Sequence, residues 1–433
     1  MENQTLIAKL PGVLLFIMAL LAVSASTSPL ISPLWSGLAG WLAALLLFRR
    51  LPRAMVYQIS GMLAIGLSCI AWVILNDFPL DIARAASANI HVIALIASVT
   101  FLRLITGPGN QANDALPKGK KALVKTTWGL HLFASVINLS AVMIFGNRME
   151  QAGKINRLQL ILFSRAFSSG CYWSPFYVSI ATALVYAPGS NFITLVLAGL
   201  PIALSGLIIT TLQLARDEQS HGTYGYPLRF EALFVPLLLS VAVILLNKLF
   251  PEFPVLTLIT ILSFLLALLV LVIRNPFTAV KQLRTHINTG LPDIYRELML
   301  FLAAGVMSVG LSAVLLSGDI SLGIADVSPL VAGGFILAAM LFSLIGIHPI
   351  VTISIVGSLL SNTSYNVNLL GIAMMMMWGN SIVVSPFSGI NLTLQGRFGV
   401  SSFSIMRWNA GYALIMLAIC VMALSVYHYL III

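Results

Sequence analysis

Runs of about 20 apolar residues recur along the whole chain. They lie at roughly 11–26, 30–48, 55–76, 85–105, 127–147, 157–187, 191–214, 230–249, 255–273, 298–317, 327–346, 349–371, 372–396 and 407–431. A helix rises about 1.5 Å per residue, so about 20 residues cross a hydrocarbon core of about 30 Å. Inside that core every backbone N–H and C=O must be paired within the protein, which leaves helices or a closed barrel. The alternating ten-residue pattern of a barrel is absent. A soluble alternative fails on composition. Hydrophobic residues make up 59% of the chain and charged residues only 8%, against roughly 25% charged in soluble domains. The expected fold class is an all-α, polytopic transmembrane helical bundle with about 11–14 hydrophobic segments.

The tripeptide Ser-Pro-Phe occurs twice within these runs, at Ser174-Pro175-Phe176 and Ser385-Pro386-Phe387. Each copy follows a histidine in an apolar stretch, His131 and His348, by 43 and 37 positions. Together they suggest an internal duplication, with an N-terminal repeat over 1–229 and a C-terminal repeat over 230–433. Each repeat is expected to contain broken or re-entrant helices, around 127–187 and 349–396. Proline removes a backbone donor and clashes with the preceding turn, so it opens the helix there. Breaks at corresponding points of two hydrophobic halves are the best sequence pointer to a transporter's central site.

The net charge is +10. The basic residues sit in short loops between apolar runs, so membrane topology and anionic lipid explain them, and nucleic acid is not an expected partner. Lys9, Arg49, Arg50, Arg53, Lys118, Lys120, Lys121 and Lys125 place the N-terminus in the cytoplasm, in a multi-pass protein of the cell inner (plasma) membrane. The loop 274–297 is basic as well, and counting crossings leaves inverted and parallel repeats both open. Cys69, Cys171 and Cys420 are scattered and read as packed apolar residues. Met374 to Met377 point in four helical directions and read as lipid-facing and packing residues rather than a soft-metal site.

Substrate-binding candidates cluster at the breaks. Ser174, Asn380, Ser385, Ser388 and Asn391 offer uncharged oxygens and amides that bind without burying a charge. Arg165, nine residues before Ser174, brings a guanidinium to membrane depth, where charge is costly and has a partner or a function. It is suited to clamping a carboxylate or a phosphate. His131 and His348 are candidates for proton coupling. No nucleotide-binding glycine loop, HExxH, GxSxG or paired intramembrane acids occur, so no enzymatic chemistry is expected.

Two hydrophobic halves, each with a polar, proline-bearing break, together with Ser361-Asn362-Thr363, resemble the ion transporter superfamily of secondary carriers. That group includes the divalent anion–sodium symporters, citrate carriers and arsenite-efflux carriers. The resemblance implies that Ser361, Asn362 and Thr363 serve sodium and a carboxylate; the first half lacks the signature itself and offers Ser168-Ser169-Gly170 and Asn138 instead. The expected function is secondary active transport of a small organic anion, coupled to Na⁺ or H⁺ by alternating access. No cofactor is expected beyond sodium as coupling ion. The expected partners are a small-molecule substrate, the lipid bilayer and a second copy in a homodimer. The alternative is a membrane-embedded lipid or cell-envelope enzyme, or a partner-dependent membrane subunit.

Overall fold

The computed structural model describes residues 2–105, 115–227, 234–318, 326–360 and 365–432. Helix makes up 83% of the structure, and no strand forms among the described residues. The helices in chain order are α1 (Glu2–Thr27), α2 (Pro33–Leu47), α3 (Arg53–Leu75), α4 (Ile82–Ser87), α5 (Ile90–Val99), α6 (Lys120–Ile137), α7 (Leu139–Glu150), α8 (Arg157–Ser169), α9 (Val178–Tyr186) and α10 (Phe192–Arg216). They continue with α11 (Phe234–Leu249), α12 (Val255–Arg274), α13 (Pro276–Thr285), α14 (Tyr295–Ser317), α15 (Pro329–Leu344), α16 (Pro349–Leu359), α17 (Val367–Val384), α18 (Gly389–Phe398) and α19 (Ser402–Tyr427).

Local sequence sets many of these starts. Ser32 and Ser328 cap α2 and α15, each followed at once by a proline whose missing N–H is not needed in the first turn. Asn156 and Gln159 form a reciprocal capping box on α8. Asn191 and Asn366 cap α10 and α17. Eight stretches among the described residues are long and apolar enough to cross a membrane. Some expected runs are shorter pieces. The run 157–187 is α8 and α9 on either side of a proline break, and the boundary drawn at 371/372 falls inside α17. Continuous apolar composition hid that boundary.

The chain forms two compact units. The first comprises 1–105, 245–325 and 354–364; the second comprises 106–244, 326–353 and 365–433. Each unit draws segments from both sides of the expected 229/230 repeat boundary, so compact packing divides the chain differently from the expected repeats.

In the first unit, Asn89 adopts a φ of 62° between α4 and α5, and its amide donates to the Phe301 carbonyl of α14 at 2.9 Å. His286 pairs with the Thr100 hydroxyl at 2.8 Å and lies against Phe101. A cleft of about 240 Å³ lined by Phe16, Phe101 and Phe264 is almost wholly apolar. Its two hydroxyls, Ser98 and Thr260, are turned back onto the carbonyls of Leu95 and Leu256.

In the second unit, α17 is central. In the stretch Val367–Phe398, 89% of the most apolar window is buried, against 22% for Arg53–Leu75. Met374 to Met377 are therefore packed inside the protein, not partly exposed to lipid. The Tyr172 carbonyl lies where a side chain at Gly199 would start, 1.6 Å from an added Cβ, so α10 passes the first break in backbone contact.

Candidate functional site: two proline breaks and a buried arginine

Hydrogen bonds fix the two ends of the second unit. Gly119 N–H donates to the Thr223 carbonyl at 2.9 Å, and the Gln159 amide donates to the Tyr224 carbonyl at 2.9 Å. The starts of α6 and α8 therefore meet at one end. It follows that α6 and α7 leave that end and return to it as a helical hairpin, folded at Asn138. The end of α18 joins them, because Arg397 pairs with Glu150 at 2.6 Å and with Asn147 at 2.9 Å. At the opposite end, Asn191 N–H donates to Asn368 Oδ1 at 2.6 Å, joining the starts of α10 and α17. So α8–α9 runs from the first end towards the second, and α17–α18 runs the other way. The basic residues of the described part of this unit are Lys118, Lys120, Lys121, Lys125, Arg148, Lys154, Arg157, Arg165, Arg216, Arg397 and Arg407. All sit on loops or helix portions nearer the first end.

The two Ser-Pro-Phe breaks share one hydrogen-bond pattern. Ser174 N–H reaches the Gly170 carbonyl and Ser385 N–H reaches the Ser381 carbonyl, both at 2.9 Å. One residue later proline has no N–H, which frees the carbonyls four residues back, Cys171 and Ile382. The Ser179 hydroxyl takes the first at 2.6 Å, and the Asn391 amide approaches the second at 3.5 Å. Each motif serine then turns outward from its helix. Ser174 Oγ donates to the Ser135 carbonyl, and Ser385 Oγ donates to the Ser343 carbonyl at 2.7 Å. Each also accepts from the N–H of the motif phenylalanine at 3.2 Å. The freed carbonyls are thus met by side chains of the same break rather than left open to a cation.

The matched carbonyls set the register. Ser135 and Ser343 each stand three residues before a left-handed residue, Asn138 with φ 56° and Gly346 with φ 95°. His131 lies before that point and His348 after it, so the two histidines are not equivalent positions. Each nevertheless meets a tryptophan. Trp173 Nε1–H donates to His131 Nε2 at 3.1 Å, and His131 Nδ1 faces the Ala166 carbonyl at 3.2 Å. An indole can only donate and a carbonyl only accept, so the partners select the neutral ring with its proton on Nδ1. A proton on Nε2 requires Trp173 to move. His348 caps α16 by accepting from Ile350 N–H at 3.3 Å, with its ring edge-on to Trp378 at 5.3 Å.

The remaining candidates separate by environment. Asn391 is fully buried and ties three elements together. It donates to the Ser385 carbonyl at 2.9 Å and accepts from the Ser164 hydroxyl of α8 at 3.1 Å. Ser388 caps α18. Asn380 is equally buried, but its Oδ1 has no hydrogen-bond partner; its amide nitrogen reaches the Met376 carbonyl and the Cys420 thiol. Asn138 is half-buried, and its side chain makes no capping bond. Ser361, Asn362 and Thr363 lie outside the described residues.

Arg165 is 4% exposed and belongs to a different cluster. Its Nε donates to Asn409 Oδ1 at 2.8 Å, Nη1 to Gln213 Oε1 at 2.5 Å, and Nη2 to the Trp408 carbonyl at 3.2 Å. Its guanidinium lies 4.3 Å from the Tyr412 ring centroid. Every one of these partners is uncharged. Sequence reasoning singled out Arg165 but not Asn409, Gln213 or Tyr412, which lie on α10 and α19, far from Arg165 in the chain. It also passed over Ser343 and Ser179, whose roles, like that of Ser135, depend on which groups of neighbouring helices face them. No family model matches the chain, and no curated protein matches it.

Proposed function

We propose that the protein is a secondary active transporter that moves a small organic anion by alternating access, coupled to a cation. The observation that carries this reading is the doubled break. Two helices running in opposite directions each open at Ser-Pro-Phe, with the same bond from the motif serine to the last turn of a neighbouring helix. Inverted repeats with discontinuous helices at matched points are a recurrent construction of secondary transporters. Opposed chain directions favour the inverted arrangement over the parallel one. The re-entrant α6–α7 piece fits it as well, since irregular backbone at membrane depth occurs where it is buried in protein or lines a cavity.

The positive-inside rule assigns the basic end of the second unit to the cytoplasm of a cell's inner membrane. An inside N-terminus, a homodimer and kinship with the ion transporter superfamily belong to the same proposal. The anionic cargo follows from charge: among the described residues of this unit, Arg165 is the buried lysine or arginine, and its bonds go to neutral groups. The test uses purified protein alone in liposomes, with radiolabelled succinate and citrate. Uptake above protein-free liposomes is expected. Retention at the protein-free level for both anions rejects the reading in favour of an enzyme or a partner-dependent subunit.

A further inference from the structure

We propose that Arg165, Asn409 and Gln213 form an anion-binding site near the basic end of the second unit, apart from the proline breaks, and that it takes a carboxylate. The identity of that carboxylate as cargo rests on the transporter reading; the site itself does not.

Two deficits coincide there. Arg165 is a buried cation whose three hydrogen bonds all end on neutral oxygens, and its charged neighbour among the described residues is Arg157, of the same sign. The Tyr412 face offers quadrupole attraction but no counter-charge. Beside the guanidinium, Asn409 is fully buried and its Nδ2 donor has no acceptor among the described residues. Burying a cation without a counter-ion, and a donor without an acceptor, both cost stability. One anion removes both costs, with one oxygen on the guanidinium and the other on the Asn409 amide.

Charge and shape narrow the anion. One guanidinium balances the single charge of one carboxylate group, such as one end of a dicarboxylate, whereas a phosphate or sulfate dianion puts two charges on the same group. A planar fork also matches a planar carboxylate. Access follows from the partners. Gln213 is exposed, three residues before the end of α10, and its Oε1 occupies a place on Nη1 that a carboxylate oxygen can take. Its flexible side chain can swing away without unfolding a helix.

Asn409→Asp and Gln213→Glu test this with little change of shape, because each installs a carboxylate beside Arg165. Thermal unfolding of the purified full chain in detergent is followed with sodium formate, succinate, phosphate and sulfate at matched ionic strength. Formate and succinate are expected to stabilise the parent saturably, with phosphate and sulfate weaker. The carboxylate effect is expected to weaken by about tenfold or more in both variants and in Arg165→Gln. If Arg165→Gln fails to fold, the two isosteric variants still decide. Equal carboxylate stabilisation in parent and variants, or none in the parent, overturns the site. A parent that transports succinate while both isosteric variants transport it equally rejects this site and leaves the transporter intact. A parent that binds formate in the predicted manner but transports nothing keeps the site and rejects the transporter.

Discussion

Asn391 and Asn380 looked alike in sequence, yet the structure predicts opposite consequences for losing them. Asn391→Ala removes two well-formed buried bonds, to the Ser385 carbonyl at 2.9 Å and from the Ser164 hydroxyl at 3.1 Å. It also strips the Ile382 carbonyl, which Pro386 already deprived of its helical partner, of its contact at 3.5 Å. Each lost bond is worth about 0.5–1.5 kcal/mol, and a stranded buried carbonyl costs about 1–3 kcal/mol. The expected loss is about 2–6 kcal/mol. Asn380→Ala instead deletes a buried oxygen that has no partner, offsetting the bond its amide makes to Met376. Its expected cost is under about 1 kcal/mol by the same scale. Equilibrium unfolding in mixed detergent–dodecyl sulfate micelles measures both. Equal destabilisation of the two variants, or a smaller loss for Asn391→Ala, refutes the assignment of Asn391 as the tie that closes the second break.

Other outcomes follow from the same geometry. Asn138 holds φ 56° and ψ −136°, where its counterpart is Gly346, so Asn138→Gly is expected to stabilise the protein by about 1 kcal/mol; a loss of that size in the same unfolding assay contradicts the register. His131 accepts from Trp173, so His131→Gln is expected to leave the pH profile of uptake unchanged; a flattened profile means that Trp173 swings away and the ring titrates. After the native cysteines are replaced, Lys154→Cys in intact cells is expected to resist an impermeant thiol reagent while Pro188→Cys reacts. The reverse pattern turns the second unit over.

Much of the fold could be read in the sequence, because lipid constrains it so strongly. Run length and the lack of charge indicated helices, and proline marked both breaks. Chain direction could not be read that way. It emerged from the pairing of Gly119 with Thr223 and of Asn191 with Asn368, contacts between residues far apart in sequence. The apparent match of His131 and His348 came from spacing alone, whereas equivalent positions are those with equivalent partners, Ser135 and Ser343. The serines of the two motifs looked free to bind a ligand. Their hydroxyls are instead engaged with neighbouring backbone, a fact that only the facing helix reveals. Arg165 is buried as its apolar sequence context suggested, but its surroundings come from α10 and α19.

The central claim is secondary active transport, and concentrative uptake tests it most directly. Proteoliposomes of the purified chain are loaded to impose an inward gradient of sodium or of protons, at fixed membrane potential, and radiolabelled succinate or citrate is followed over time. The account predicts transient accumulation above the external concentration under one of the two gradients. That overshoot should disappear when choline replaces sodium, or when an uncoupler collapses the proton gradient. Uptake that only ever equilibrates under both gradients, or none above protein-free liposomes, contradicts it.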